Sequence, residues 1–180
     1  IVVTDATLRS CFIDTNPSTG LFDLTTANVT LQGGTTKQYF PSEADAVNNT
    51  NEIQSPANHI APTGVAFVRV NDANGCFNVA KVNLYVIPPV YSTVLEDKII
   101  CIENTTTLDA GPGFDGYLWS TGATTQSVSN IGVGTYWVQL KSGNCTSMQK
   151  VTVYPSQQPV ITYIDVTTST ITVNVVGGTP

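Results

Sequence analysis

Residues 65–87 read VAFVRVNDANGCFNVAKVNLYVI, two alternating apolar runs around the turn Asn71-Asp72-Ala73-Asn74-Gly75. In an extended chain every second side chain turns to the same face, so Val65, Phe67, Phe77, Val79, Val82, Leu84 and Val86 mark strands with a buried side. The Asn-Gly step supplies backbone that tolerates positive φ, which a tight hairpin requires. A β-hairpin is predicted here, and with it a chain built from antiparallel strands.

The same grammar extends outward. Upstream, Leu21-Phe22-Asp23-Leu24 and Lys37-Gln38-Tyr39-Phe40 read as shorter strands, and Ser42 is placed to cap a helical turn near 42–48. Downstream, strands are expected near 99–102, 105–109, 116–120, 125–130, 134–142 and 145–154. The last two are joined by Lys141-Ser142-Gly143-Asn144, so each half ends in a hairpin with a cysteine at the start of its final strand, a weak internal repeat. From Val160 a third alternating stretch carries Ile161, Tyr163, Ile164, Val166, Ile171, Val173 and Val175. It is too short to complete a sandwich. The expected organisation is a module over 1–88, a smaller one over 89–156, and the start of a third over 157–180. The opening Ile1-Val2-Val3 reads as the middle of a strand and Gly177-Gly178-Thr179-Pro180 as the entry to another repeat, as in a piece of a longer protein.

Four cysteines fall as two couples, Cys11 with Cys76 and Cys101 with Cys145, on either side of Pro88-Pro89. Sequential pairing, one bridge per module, is expected, since nested or crossed pairing would tie together segments across a linker. Each such bridge would contribute roughly 4 kcal/mol in the chain-entropy model. Structural disulfides imply an oxidising compartment. Zinc is disfavoured because no two cysteines make a C-x2-4-C half-site and His59 is the only histidine.

Charge narrows the partners. The net charge is -6 with 11% charged residues, and the basic side chains Arg9, Lys37, Arg69, Lys81, Lys98, Lys141 and Lys150 stand singly. No patch exists to displace phosphate counterions, which argues against nucleic acid. No apolar run reaches the roughly 20 residues of a membrane-spanning helix, so membrane insertion is not expected.

No set of side chains in the sequence combines a nucleophile, a base and an orienting partner. His59 sits in Asn58-His59-Ile60-Ala61-Pro62, a loop-like setting with no partner for a nucleophile. The carboxylate couples Glu43 with Asp45 and Glu96 with Asp97 lie in turns or linkers, where solvent leaves neither pKa raised for acid catalysis. No catalytic residue is therefore assigned, and no cofactor. With zinc disfavoured, calcium is the metal candidate that remains, at Asp14-Thr15-Asn16 or in the 71–75 turn, but the latter lacks the downstream Glu of a calcium loop and a hairpin explains it. Tyr117, Trp119, Tyr136 and Trp137 form a pool for sugar contact. Alternation puts Tyr136 and Trp137 on opposite faces, which leaves Trp137 as the surface candidate. The sequons at Asn28, Asn48, Asn104 and Asn144 read as coincidences of a Thr/Asn-rich surface.

Trp119 and the cysteines invite comparison with immunoglobulin domains, in which a core tryptophan rests on an intersheet bridge. Tyr136, following Gly134-Thr135, stands like a tyrosine-corner residue, although Cys145 lies on the next strand instead of two positions on. The fold class is therefore all-β, with tandem immunoglobulin-like antiparallel β-sandwich modules and a displaced disulfide in each.

The segments Gly20-Leu21-Phe22-Asp23-Leu24-Thr25, Tyr39-Phe40-Pro41-Ser42, Asn74-Gly75-Cys76-Phe77, Tyr117-Leu118-Trp119-Ser120-Thr121-Gly122-Ala123-Thr124-Thr125 and Gly134-Thr135-Tyr136-Trp137-Val138 carry a resemblance. The chain resembles the repeat modules of large Bacteroidota surface proteins exported by the type IX secretion system, including gliding-motility adhesins. The resemblance implies tandem immunoglobulin-like folds displayed on the cell surface, an attachment role, and partners among neighbouring modules, surface polysaccharide or protein. It supplies no binding residue. A carbohydrate-binding or spacer module of a secreted enzyme and a filament subunit are the alternatives.

Overall fold

The computed structural model describes residues 1–178 of the chain; Thr179 and Pro180, read above as part of the entry to a further repeat, lie outside the described residues. The chain divides into two compact units, Ile1–Pro89 and Val90–Pro180.

In the first unit the strands are β1 (Ala6–Ile13), β2 (Asn16–Phe22), β3 (Thr36–Phe40), β4 (His59–Pro62), β5 (Gly64–Asn71) and β6 (Phe77–Ile87), with helix α1 (Glu43–Asn48) after β3. β5 and β6 form the expected hairpin, from Asn71 opposite Phe77 to Gly64 opposite Leu84. β3 adds to β5 antiparallel, and β1 lies parallel to β6 from Ala6 opposite Val82 to Cys11 opposite Ile87. At Phe12 the first strand leaves β6 and pairs with β2, which pairs in turn with β4. The core lies between these layers: Phe12, Phe22, Leu24 and Val29 from one side meet Tyr39, Ala66, Val68, Val70, Ala80, Val82, Leu84 and Val86 from the other.

The second unit repeats the plan. Its strands are β7 (Lys98–Ile100), β8 (Thr106–Asp109), β9 (Gly116–Trp119), β10 (Ser127–Ile131), β11 (Gly134–Ser142) and β12 (Cys145–Pro155). The order β7-β12-β11-β9 faces a second sheet of β10 and β8, with β7 parallel to β12. In both units the first strand therefore runs parallel beside the last, the last pairs with the one before it, and that one with the third. The second and fourth pair in the opposing layer. This is an immunoglobulin-like sandwich reached by local hairpins and cross-layer connections. Leu108 and Ile131 from one sheet and Trp119, Val138, Leu140, Val151 and Val153 from the other fill the core. A separate hairpin, β13 (Val160–Val166) with β14 (Ile171–Val176), is exposed at every residue.

Several local readings change. Ile1-Val2-Val3 is not a strand, although Ile1 and Val3 pack against the core. The strand at 21–24 starts earlier and ends at Phe22, because the Asp23 carboxylate accepts from the Thr25 N–H and caps a 3-10 turn, Leu24–Thr26. β5 turns Ala66, Val68 and Val70 inward, not Val65 and Phe67. Its other face is also partly covered, since Phe40 and Ala46 of α1 are both 0% exposed outside the main core. Phe67, opposite Phe40 in the ladder, is half-buried on that face.

Candidate functional site

Among the chemically distinctive side chains, the cysteines depart most from expectation. Cys11 and Cys145 are each disulfide-bonded, while Cys76 and Cys101 are free thiols, both exposed. Sequential pairing is therefore corrected, and the strand geometry gives the reason. Cys11 stands opposite Ile87, the last residue of β6, whereas Cys76 immediately precedes Phe77, its first. With a rise of about 3.3 Å per residue, a strand of this length holds the two roughly 30 Å apart, against the ~7 Å limit for Cα atoms joined by a disulfide. The second unit is built alike. Ile100 stands opposite Pro155 at the end of β12, Cys101 follows it, and Cys145 opens the same strand.

Each turn before a last strand is braced. The Asp72 carboxylate accepts from the backbone N–H groups of Asn74 and Cys76, both at 2.9 Å, while Gly75 takes φ +83°. One oxygen of the proposed calcium loop is thus engaged in the hairpin. At Asp14-Thr15-Asn16, the Asn16 amide oxygen accepts from the Ser18 hydroxyl. No group of three or more His, Cys, Asp or Glu side chains that could hold a metal ion occurs among the described residues. In the second unit the Asp115 carboxylate accepts from the Gly143 N–H at 2.7 Å, which secures the turn leading into Cys145.

The candidate acid–base residues remain apart from one another in role. His59 opens edge strand β4 opposite Phe22, a strand where the sequence suggested a loop, and burial pushes its imidazole pKa down. Glu43 and Asp45 occupy the first turn of α1. Asp45 accepts from the Ser42 hydroxyl, the Asn51 amide and the Thr50 hydroxyl, and these bonds hold its carboxyl below the usual range. Asp109 is lowered in the same way by Gln126 and the Gly111 N–H. Glu96 and Asp97 are exposed, and Asp97 accepts from the Thr152 N–H at 2.7 Å. The displaced carboxyls are therefore shifted toward the ionised form, opposite to what a general acid needs.

The aromatic pool divides between core and surface. Trp119 is 1% exposed and its indole N–H donates to the Thr125 carbonyl at 2.8 Å. Tyr117 and Tyr136 pack against the core; their hydroxyls donate to the carbonyls of Gly111 and Gly132. The Tyr136 bond reaches back along its own chain, the role of a tyrosine corner. Trp137 lies half-buried on the face of β11 opposite Val138. The hollow lined by Tyr117, Leu118, Gln139 and Lys141 does not include it.

No helix among the described residues is long and apolar enough to cross a membrane. Among solved structures the chain is similar to the N-terminal four Ig domains of Dscam1 isoform 6.9, at 9% identity and TM-score 0.32, over 84% of this chain and 44% of that one. It is also similar to Sidekick-1 immunoglobulin domains 1-5, at 12% identity and TM-score 0.32, over 88% and 41%. The chain thus spans less than half the length of both. No curated protein matches. Residues 7–90 match the model of a family described as the Flavobacterium inter-domain disulphide bond domain.

Proposed function

We propose that this chain is a non-catalytic structural repeat region of a secreted bacterial surface protein, with successive modules joined by a disulfide between Cys11 and Cys145. One observation carries this reading: the bonded cysteines belong to different units, while the other two are free. The path of the chain supports the pairing. The last strand of the first unit ends on Ile87, opposite Cys11. The second begins at Val90, whose carbonyl accepts from the hydroxyl of Ser147, two residues beyond Cys145. Only Pro88 and Pro89 intervene, and so short a linker spans at most ~10 Å. The description of the family matched by the first unit names the same kind of bond.

Such a bond would add a second covalent tie between neighbouring modules beside the peptide linker. In this reading the chain stands on the outer surface of a Gram-negative bacterium and serves attachment, as in type IX-exported gliding adhesins. Residues 157–180 belong to a third module. The support is that β13 and β14 carry Ile161, Tyr163, Val173 and Val175 exposed, apolar area that an isolated two-stranded hairpin cannot bury. Trp137 is the candidate ring for a polysaccharide.

Peptide mapping of the unreduced protein tests the linkage. A Cys11–Cys145 peptide with alkylatable Cys76 and Cys101 is expected, and a Cys11–Cys76 peptide sinks the reading. For location, antibodies to this chain should label intact cells; labelling only after permeabilisation would exclude surface display.

A further inference from the structure

The bonded and free cysteines are equivalent positions in a repeat. The first unit's entry segment lies along β6 near its start: the Ile1 carbonyl accepts from the amide of Asn78, two residues past Cys76, and the Asp5 carboxylate from the Lys81 N–H. The second unit's entry follows β12 in the same manner. The Val90 carbonyl accepts from Ser147, two residues past Cys145, and the Asp97 carboxylate from the Thr152 N–H. Cys76 and Cys145 therefore mark the pole at which the chain enters each unit. Cys11 and Cys101 mark the pole at which it leaves: Cys11 faces Ile87, and the carbonyl of Ile100, next to Cys101, accepts from the Ser156 N–H.

We infer that Cys76 and Cys101 are half-bridges for further modules of the same kind. Cys76 takes the exit-pole cysteine of a preceding module, and Cys101 the entry-pole cysteine of a following one. This rests on the Cys11–Cys145 pairing proposed above, which is the same exit-to-entry bond. Their exposure fits the assignment, because a thiol held ready for a separate module must stand open at its pole. In an oxidising compartment a cysteine left over from the bridges of its own chain points to an intermolecular partner or a reactive thiol. With a small-molecule disulfide such as oxidised glutathione as oxidant, the two thiols give up two protons and two electrons. One protein S–S bond forms, the glutathione S–S bond breaks, and two glutathione thiols leave.

The rule makes a directional prediction with this chain alone: Cys101 of one copy should accept Cys76 of another, head to tail. Cys76→Ser and Cys101→Ser proteins would each be incubated at high concentration in a glutathione redox buffer, separately and mixed. Non-reducing electrophoresis and peptide mapping read the products. The mixture should give covalent dimer through Cys76–Cys101 in about tenfold excess over either variant alone, because pole complementarity raises the effective concentration of the matched pair. Equal dimer in the single-variant samples, or none in the mixture, overturns the inference. The Cys11–Cys145 peptide is followed in the same digests, so a failure of the underlying linkage is seen separately.

Discussion

The two units share one strand order but fill it differently. The second closes its core around a single large aromatic, Trp119, with the Tyr136 hydroxyl tying its next strand back to Gly132. The first has no tryptophan. It distributes the same task over Phe12, Phe22, Leu24 and a row of valines, and adds α1 over the outer face of β3 and β5. There Arg69 donates to the carbonyls of Ala46 and Val47 at the end of the helix, where the helix dipole favours a cation. Neither core is organised around a bridge within the unit. The frame follows from hairpin pairing and side-chain alternation, so many side-chain sets fill it.

If the cores are separate solutions, damage to one should leave the other standing. Trp119→Ala should cost the second unit ~3–5 kcal/mol, the range for truncating a buried aromatic. With the disulfide reduced, thermal unfolding should then show an early transition in the fluorescence of the remaining Trp137 and an unmoved transition for the first unit. A common shift of both would break the comparison. Tyr136→Phe sharpens it at smaller scale. Loss of the bond to Gly132 should cost about 1 kcal/mol, seen as a lower denaturation midpoint with the slope unchanged.

The smallest effect belongs to α1, which among the described residues has no counterpart in the second unit. Ser42→Ala removes the hydroxyl that caps α1 and should cost ~1 kcal/mol or less. It also removes the largest of the bonds that lower Asp45. A carboxyl depressed in the folded state contributes stability above its unfolded pKa that is lost as the pH falls through the folded value. In the variant the Asp45 titration followed by NMR should move up toward an ordinary carboxylate, and the acid-side loss of stability should shrink. An unmoved titration would mean that Thr50 and Asn51 hold the carboxylate without Ser42.

What was legible in the sequence was local. Strands such as 134–142 and the hairpin at 71–77 follow from alternation and turn residues within a few positions, and Ser42 announces its helix by the same short-range chemistry. β1 escaped notice because ATLRSCFI alternates weakly, being partly buried at Ala6, Leu8, Cys11 and Ile13 and flanked by parallel and antiparallel neighbours. β4 is a four-residue edge strand whose His59 and Pro62 read as a loop. In β5 the larger residues Val65 and Phe67 outweighed Ala66 in the pattern, and only the helix laid over the outer face explains a half-buried Phe67 there.

By itself the sequence determined that this chain is all-β, sandwich-forming and repetitive, since each of those properties is written in spacings shorter than a strand. Only the tertiary structure decided which cysteines are bonded. Whether two sulfurs meet depends on which end of a strand each occupies once distant segments have paired, and the parallel placement of first beside last strand sends Cys11 and Cys76 to opposite poles.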